Sequence, residues 1–225
     1  MSSPKFEDNF SKQADVYARY RPPYPAALYE WIASIAPGHA VAWDCGTGNG
    51  QAAIGLTRHF RSIIATDPST AQIANAPAHP QIEYRVARAE ESGLADQSVD
   101  AITVALALHW FDLDQFYAEA RRVLKPGGKL AVSDIVTDGP LPEVIKKSLS
   151  AWAGCVAGAV EAGEYIAMME SVGFTNISIT PVFFDKETID SAINDMKDVI
   201  ELKTVSRDDV YKSVYSAKST AYKPA

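Results

Sequence analysis

The chain has 225 residues, 47% of them hydrophobic and 22% charged, which suits a single globular domain, 1–225, with a sizeable core. Its formal net charge of −7 argues against a nucleic-acid-binding surface. No apolar run is long enough for a bilayer span or an N-terminal signal core, so neither nucleic acid nor membrane is an expected partner. Two cysteines, Cys45 and Cys155, give no disulfide framework and fit a cytoplasmic protein.

Residues 1–25 are polar and aromatic. The stretch 10–21 has the pattern of a short amphipathic helix, and Pro22, Pro23 and Pro25 then impose an extended connector. Two readings stand: an arm packed on the sheet edge, or a lid carrying Tyr17, Tyr20, Arg21 and Tyr24 over a ligand. Residues 26–36 predict a helix with Leu28, Trp31, Ile32 and Ile35 on one face, stopped by Pro37-Gly38.

The stretch 41–50 is the one around which the chain is organised. An apolar strand ends in Asp44 and breaks into alternate glycines at 46, 48 and 50, and a helix to about residue 59 comes next. Strand, glycine turn and helix start form a nucleotide-binding crevice in an open α/β sheet. A dinucleotide fingerprint needs Gly-x-Gly-x-x-Gly, and Gln51 stands where its third glycine belongs. Asp44 would repel a pyrophosphate at the helix start and would welcome a cationic ligand end. The order acidic-x-Gly-x-Gly-x-Gly resembles motif I of the class I S-adenosylmethionine-dependent methyltransferases. Their cofactor carries an ammonium and a sulfonium and no phosphate. The resemblance implies that Gly46, Gly48 and Gly50 approach its methionine and sugar while Asp44 favours its cationic amino-acid end.

Residues 62–66 read as a buried parallel strand ending at Asp67-Pro68. An acidic residue about 20 positions past the glycines is placed to accept from both ribose hydroxyls. Asp67 meets that condition; its other reading is an N-cap for a helix over 70–76, where Ser69 competes for the role and leaves Asp67 to the ribose. A third strand, 81–87, leads into Arg88-Ala89-Glu90-Glu91-Ser92, and a fourth covers 97–105. That strand ends in Ala105, where open α/β folds bind ligands, and runs on through Leu106 to Asp112. His109 stands there as a candidate base or ligand for a substrate oxygen, with a hydrogen-bonded helix-start histidine as the alternative; Trp110 beside it is a core residue or a substrate contact. A helix over 113–124, a Lys125-Pro126-Gly127-Gly128 turn and a fifth strand over 129–135 complete this half.

From about residue 10 to 135 these phrases resemble type 11 methyltransferases, including relatives of trans-aconitate methyltransferase: Tyr-x-x-Tyr-Arg-Pro-x-Tyr-Pro at 17–25, Ala89-Glu90, and His109-Trp110-Phe111-Asp112. The resemblance implies that the arm closes the site, with Arg21 on the cofactor and Tyr17, Tyr24 and Trp110 on the substrate. Relatives usually read Gly-Asp-Ala-Glu after the third strand, their Asp meeting the adenine amino group. Arg88 stands at that Asp here, so adenine falls to backbone groups around Ala89 and Glu90, with Ala105 completing the cofactor set.

Residues 133–225 resemble instead the C-terminal part of arsenite methyltransferases, through Trp152-Ala153-Gly154-Cys155-Val156-Ala157-Gly158-Ala159 and the closing Ser216-Ala217-Lys218. Trivalent arsenic needs several converging thiolates. Only Cys155 stands at a family position, Cys45 reads as a small packed residue, and no metal site is expected. The change of resemblance around 125–135 suggests a chimera of two lineages. Within 136–225, a helix over 161–172, a half-buried strand over 177–184 and a strand over 212–222 pairing back with it are expected, with a polar excursion over 185–209. The fold class is therefore a Rossmann-like, doubly wound, seven-stranded and mostly parallel sheet with an antiparallel C-terminal edge strand, its cofactor-binding half at 26–135. The function expected is methyl transfer from S-adenosyl-L-methionine to a small-molecule substrate. A scaffold that binds cofactor only, and an arsenite methyltransferase relative with an incomplete thiol site, are the alternatives. Neither the acceptor nor the oligomeric state is written in the chain.

Overall fold

The computed structural model describes residues 24–139, 159–184, 186–187 and 214–225. The expected helix at 10–21 with Tyr17, Tyr20 and Arg21, the segment holding Cys155, and the excursion over 185–209 apart from residues 186–187 lie outside the described residues.

Seven strands form one sheet: β1 (Val41–Cys45), β2 (Ser62–Asp67), β3 (Ile82–Val86), β4 (Val99–Ala105), β5 (Leu124–Thr137), β6 (Thr175–Phe183) and β7 (Val214–Tyr222). Their order is β3-β2-β1-β4-β5-β7-β6. The pairs from β3 through β5 are parallel, whereas β7 runs antiparallel to both β5 and β6. The C-terminal strand is thus antiparallel and lies one place in from the edge, which β6 forms. The chain reverses direction of travel across the sheet between β1 and β4, and such a switch point opens a crevice beyond the strands' carboxyl ends.

Side-chain size sets the two faces. On one, Ala42, Ala65, Ala101 and Ala131 let helices α1 (Ala26–Ile35) and α2 (Gln51–Leu56) come close. Tyr29 of α1 reaches across α2, where a Cβ on Gly55 would stand 2.0 Å from its ring. On the other face, Trp43, Cys45, Ile102, Val104, Leu130 and Val132 pack against α4 (Leu113–Val123) and α5 (Ala162–Ser171) through Phe116, Tyr117, Val123, Tyr165 and Met169. Helix α3 (Thr70–Ala74) comes after β2.

At the end remote from the glycine turn, Asp100 braces the sheet. Its Oδ2 accepts the Ala40 and Val41 N–H groups, both at 2.9 Å, and its Oδ1 pairs with Lys125 Nζ at 2.8 Å. Burial opposes its charge, but Lys125 and the two N–H groups prevail and hold the carboxyl below its ordinary range.

Two elements differ from expectation. The Lys125-Pro126-Gly127-Gly128 turn is absorbed into β5 as an irregularity opposite Val99 and Ala101. Its backbone is satisfied by the C-terminus: Gly127 N–H donates to Lys223 O at 2.9 Å, and Lys223 N–H to Gly128 O at 3.0 Å. In β6 the half-buried alternation covers only the first part of the strand. Ile177 and Ile179 pack on the core, whereas Val182 is 47% and Phe183 56% exposed. An edge strand whose register with β7 slips between Thr175 and Ser178 is free to leave the core.

Candidate functional site

An open cleft of about 630 Å³ lies at the switch point, bounded by the turn after β1, the end of β2 and the segment after β4. Asp44 is at its floor, 1% exposed. Thr47 Oγ1 donates to Asp44 Oδ2 at 2.6 Å, and Thr103 Oγ1 to Oδ1 at 2.7 Å. Burial pushes this carboxyl up to about 6, against the pull of those hydroxyls and of the Ala53 backbone at the start of α2; the charge of Asp67 raises it further. A carboxylate so placed gains from a cationic partner.

The three glycines of the turn all have positive φ, at 68°, 56° and 86°, the region that favours glycine. They serve different ends. A Cβ on Gly46 would come within 2.5 Å of the Ala107 Cβ, and one on Gly50 would meet the Tyr84 hydroxyl. A Cβ on Gly48 would meet nothing within 4 Å, because that glycine faces the open cleft. Gly46 and Gly48 line the cleft; Gly50 is outside its walls, in contact with β3.

Asp67 lies across from Gly48. Its Oδ2 accepts the Gly48 N–H at 2.9 Å and its Oδ1 the Ser69 N–H at 2.9 Å, so the carboxylate ties β2 to the glycine turn. Ser69 is the N-cap of α3, its hydroxyl accepting from Gln72 N–H at 3.3 Å. The cap falls to Ser69, and Asp67 holds that cap residue through its N–H.

After β4 the chain turns sharply. Leu106 has φ 53°, a left-handed conformation that a branched apolar side chain rarely adopts, and its N–H donates to Ser133 O at 2.7 Å. Ala105, Leu106, Ala107 and Trp110 form this wall of the cleft, and Trp110 is 43% exposed. Tyr24 forms the facing wall at the end of the described N-terminal segment.

His109 and the loop after β3 do not stand where expected. The His109 side chain is 2% exposed; its Nδ1 is bound to Asp134 Oδ1 at 2.9 Å, and the ring is not part of the cleft wall. Asp134 also accepts the N–H groups of Leu108 at 2.7 Å and His109 at 3.3 Å, which pins the 3₁₀ turn Leu108–Trp110 to β5. The alternative of a histidine hydrogen-bonded in place at a helix start is the geometry found. Ala89 is 4% exposed in the core, and Glu90 turns inward, accepting the Asp112 N–H at 2.8 Å and pairing with Arg88 at 3.2 Å. Both stand outside the cleft, because Glu90 joins this loop to the start of α4. Thr47, Asn49, Gln51, Ala52 and Gln72 also line the cleft, and residue type and spacing alone did not single them out. Thr47 had a signal: a hydroxyl three residues after a strand-end carboxylate is within reach of it.

Cys45 is 1% exposed in the core, where burial pushes its thiol well up. Among the described residues no group of three His, Cys, Asp or Glu side chains is placed to hold a metal ion, and no helix is long and apolar enough to cross a membrane.

The switch-point cleft, its glycine turn and the sheet order are those of a Rossmann-like fold that solved methyltransferases share. The family model described as "Methyltransferase domain" matches residues 43–132. It is 41% identical over 129 residues to a Dictyostelium discoideum protein named as a methyltransferase, covering 57% of this chain and 49% of that one. It is 28% identical over 163 residues to the arsenite methyltransferase of Halobacterium salinarum, covering 67% of this chain and 41% of the relative. The chain thus spans about half the length, or less, of these two curated relatives. A Haemonchus contortus phosphoethanolamine N-methyltransferase, solved with phosphomonomethylethanolamine and S-adenosylhomocysteine, shares the fold at a TM-score of 0.73 and 17% identity, over 96% of this chain and 58% of that one.

Proposed function

We propose that the chain binds S-adenosylmethionine in the switch-point cleft and transfers its methyl group to a small-molecule acceptor. The observation that carries the reading is Asp44, a carboxylate at the cleft floor oriented by two hydroxyls and raised to about 6 by burial. An ammonium is the partner that lowers that cost. The site fits the rest of the cofactor too. Gly48 leaves open the space that any side chain would fill, and Asp67 is held by two N–H groups in an orientation suited to ribose hydroxyls. The Haemonchus contortus enzyme of the same fold holds S-adenosylhomocysteine, which supports the choice.

Bound there, the cofactor supplies a sulfonium-activated methyl group for in-line displacement by the acceptor's nucleophile. The protein's part is positional. Asp44 fixes the amino-acid end, Asp67 the sugar, and the strained Leu106 turn presents Ala105 and Ala107 to the space between them. Trp110 and Tyr24 flank the mouth, where they exclude water and meet the acceptor. With His109 turned to Asp134, a carboxylate acceptor, which needs no base, suits this site better than one that must lose a proton.

Calorimetric titration with S-adenosylmethionine and with NAD tests the cofactor; binding of the first alone is expected, and none at near-millimolar cofactor contradicts the reading. A labelled-methyl assay over small carboxylic acids, phenols and arsenite then separates an enzyme from a cofactor-binding scaffold. A join of two lineages at 125–135 is carried as a separate proposal. The Halobacterium salinarum alignment, which covers 67% of the chain, necessarily crosses that stretch, and matching each half separately against relatives decides it.

A further inference from the structure

A second, half-open pocket lies beside the first cleft on the α1 face of the sheet, with about 470 Å³ of space when its open mouth is included. Tyr24, Ala52 and Ala105 line both spaces, so the two adjoin. Its walls are mostly apolar, with Leu28, Trp31 and Ile32 of α1 opposite Ala131 of β5. One cation stands among them. Lys218 of β7 pairs in register with Ser133 of β5, and its Nζ donates to Ser133 Oγ at 2.6 Å and Ser216 Oγ at 2.8 Å. Among the described residues no carboxylate forms an ion pair with it. Burial holds its pKa below the ordinary lysine value, with the charge of Asp134 pulling the other way. Among the described residues two neutral hydroxyls take two of the three ammonium donors, and the charge of Asp134 acts on it without an ion pair, so the half-buried charge is incompletely met, which is costly. An anion would remove that cost.

We propose that this second cavity seats the methyl acceptor, and that the acceptor is a small carboxylic acid with an apolar body whose carboxylate lies on Lys218 Nζ. The assignment rests on the adjoining cleft being the cofactor site. The walls select the apolar body, and the single ammonium with its two hydroxyls selects a singly charged oxyanion over a cation or a neutral alcohol. Ser133, which holds Lys218 Nζ, pairs in register with Ala105 across β4 and β5, so a carboxylate on Lys218 Nζ lies towards Ala105, where the cofactor's methyl group would lie. A carboxylate oxygen would take the methyl as the sulfonium leaves as a neutral thioether, while Trp31, 42% exposed, and Tyr24 flank the apolar body.

The test uses the full chain loaded with S-adenosylhomocysteine and a matched probe series: hexanoate, 1-hexanol and hexylamine. Calorimetry should show hexanoate binding at least about tenfold more tightly than either partner, the scale of one charge-assisted contact. Lys218→Met should remove that preference while leaving affinity for 1-hexanol and for S-adenosylhomocysteine within about twofold. Hexanoate binding no tighter than 1-hexanol overturns the proposal without recourse to any variant. So does a Lys218→Met protein that keeps the preference, or hexanoate that competes with S-adenosylhomocysteine, since competition puts the acid in the first cleft. Failure of S-adenosylhomocysteine itself to bind overturns the cofactor reading instead, and the same probe series on ligand-free protein still decides whether the cavity takes acids.

Discussion

Two buried carboxylates stand on neighbouring parts of the sheet, and the chain treats them differently. Asp134 on β5 accepts N–H groups from Leu108, His109 and Ile135 and the His109 ring besides, all from the chain itself. Asp44 at the end of β1 accepts two side-chain hydroxyls and faces a cleft. Both are 1% exposed, so exposure does not separate them. What separates them is how their charge is met. Asp134 is saturated by the fold and holds the 3₁₀ turn in place; Asp44 is oriented by the fold, and among the described residues no cation pairs with it.

The contrast predicts opposite phenotypes. Asp134→Ala should cost about 3–5 kcal/mol, since it strands a set of buried donors, and a urea midpoint shift measures it. Asp44→Asn should change stability far less but weaken S-adenosylmethionine binding by tenfold or more, about 1.4 kcal/mol, in a calorimetric titration. If the two losses came out alike, the distinction would collapse. Gly46→Ala and Gly48→Ala sharpen the comparison within one turn. The first forces a Cβ onto Ala107 and should lose about 1–3 kcal/mol of stability beyond its backbone strain. The second meets no neighbour, so it should lose only the roughly 1–2 kcal/mol of left-handed backbone cost while reducing cofactor affinity. Smallest in its effect on binding, His109→Ala should leave cofactor affinity unchanged at a stability cost of about 1–2 kcal/mol. A loss of turnover at full stability, with a shifted pH profile, would return His109 to the chemistry.

Much of this architecture was legible because it rests on local pattern. The glycine turn, the strand ends at Asp44 and Asp67, and the Ser69 cap are set by residue type and spacing. What was not legible depends on partners remote in sequence. Nothing near His109 announces Asp134, 25 residues on, as its partner, and nothing near Glu90 announces the Asp112 N–H, 22 residues away. Leu106 gives no hint of a left-handed backbone, since leucine does not favour one; the bond to Ser133 O across the β4–β5 ladder holds it there. The Lys125-Pro126-Gly127-Gly128 segment reads as a free turn because the residue that pairs with it, Lys223, is near the far end of the chain. Alternation in β6 fails for a related reason: its place at the edge is set by β7, which enters between it and β5.

The pH dependence of cofactor binding tests the central claim most directly. Burial raises Asp44 to about 6, so the ligand-free fold takes up a proton there that the unfolded chain, at its lower pKa, does not. This group's contribution to stability is complete below the unfolded pKa and is lost as the pH rises through about 6. Cofactor binding runs the other way, because a cation is drawn to the ionised form. Calorimetric titration of S-adenosylmethionine between about pH 5 and pH 8 should show affinity rising through about 6 in the native protein and flat in Asp44→Asn. A native profile that is itself flat, or one that Asp44→Asn leaves unchanged, would contradict the account.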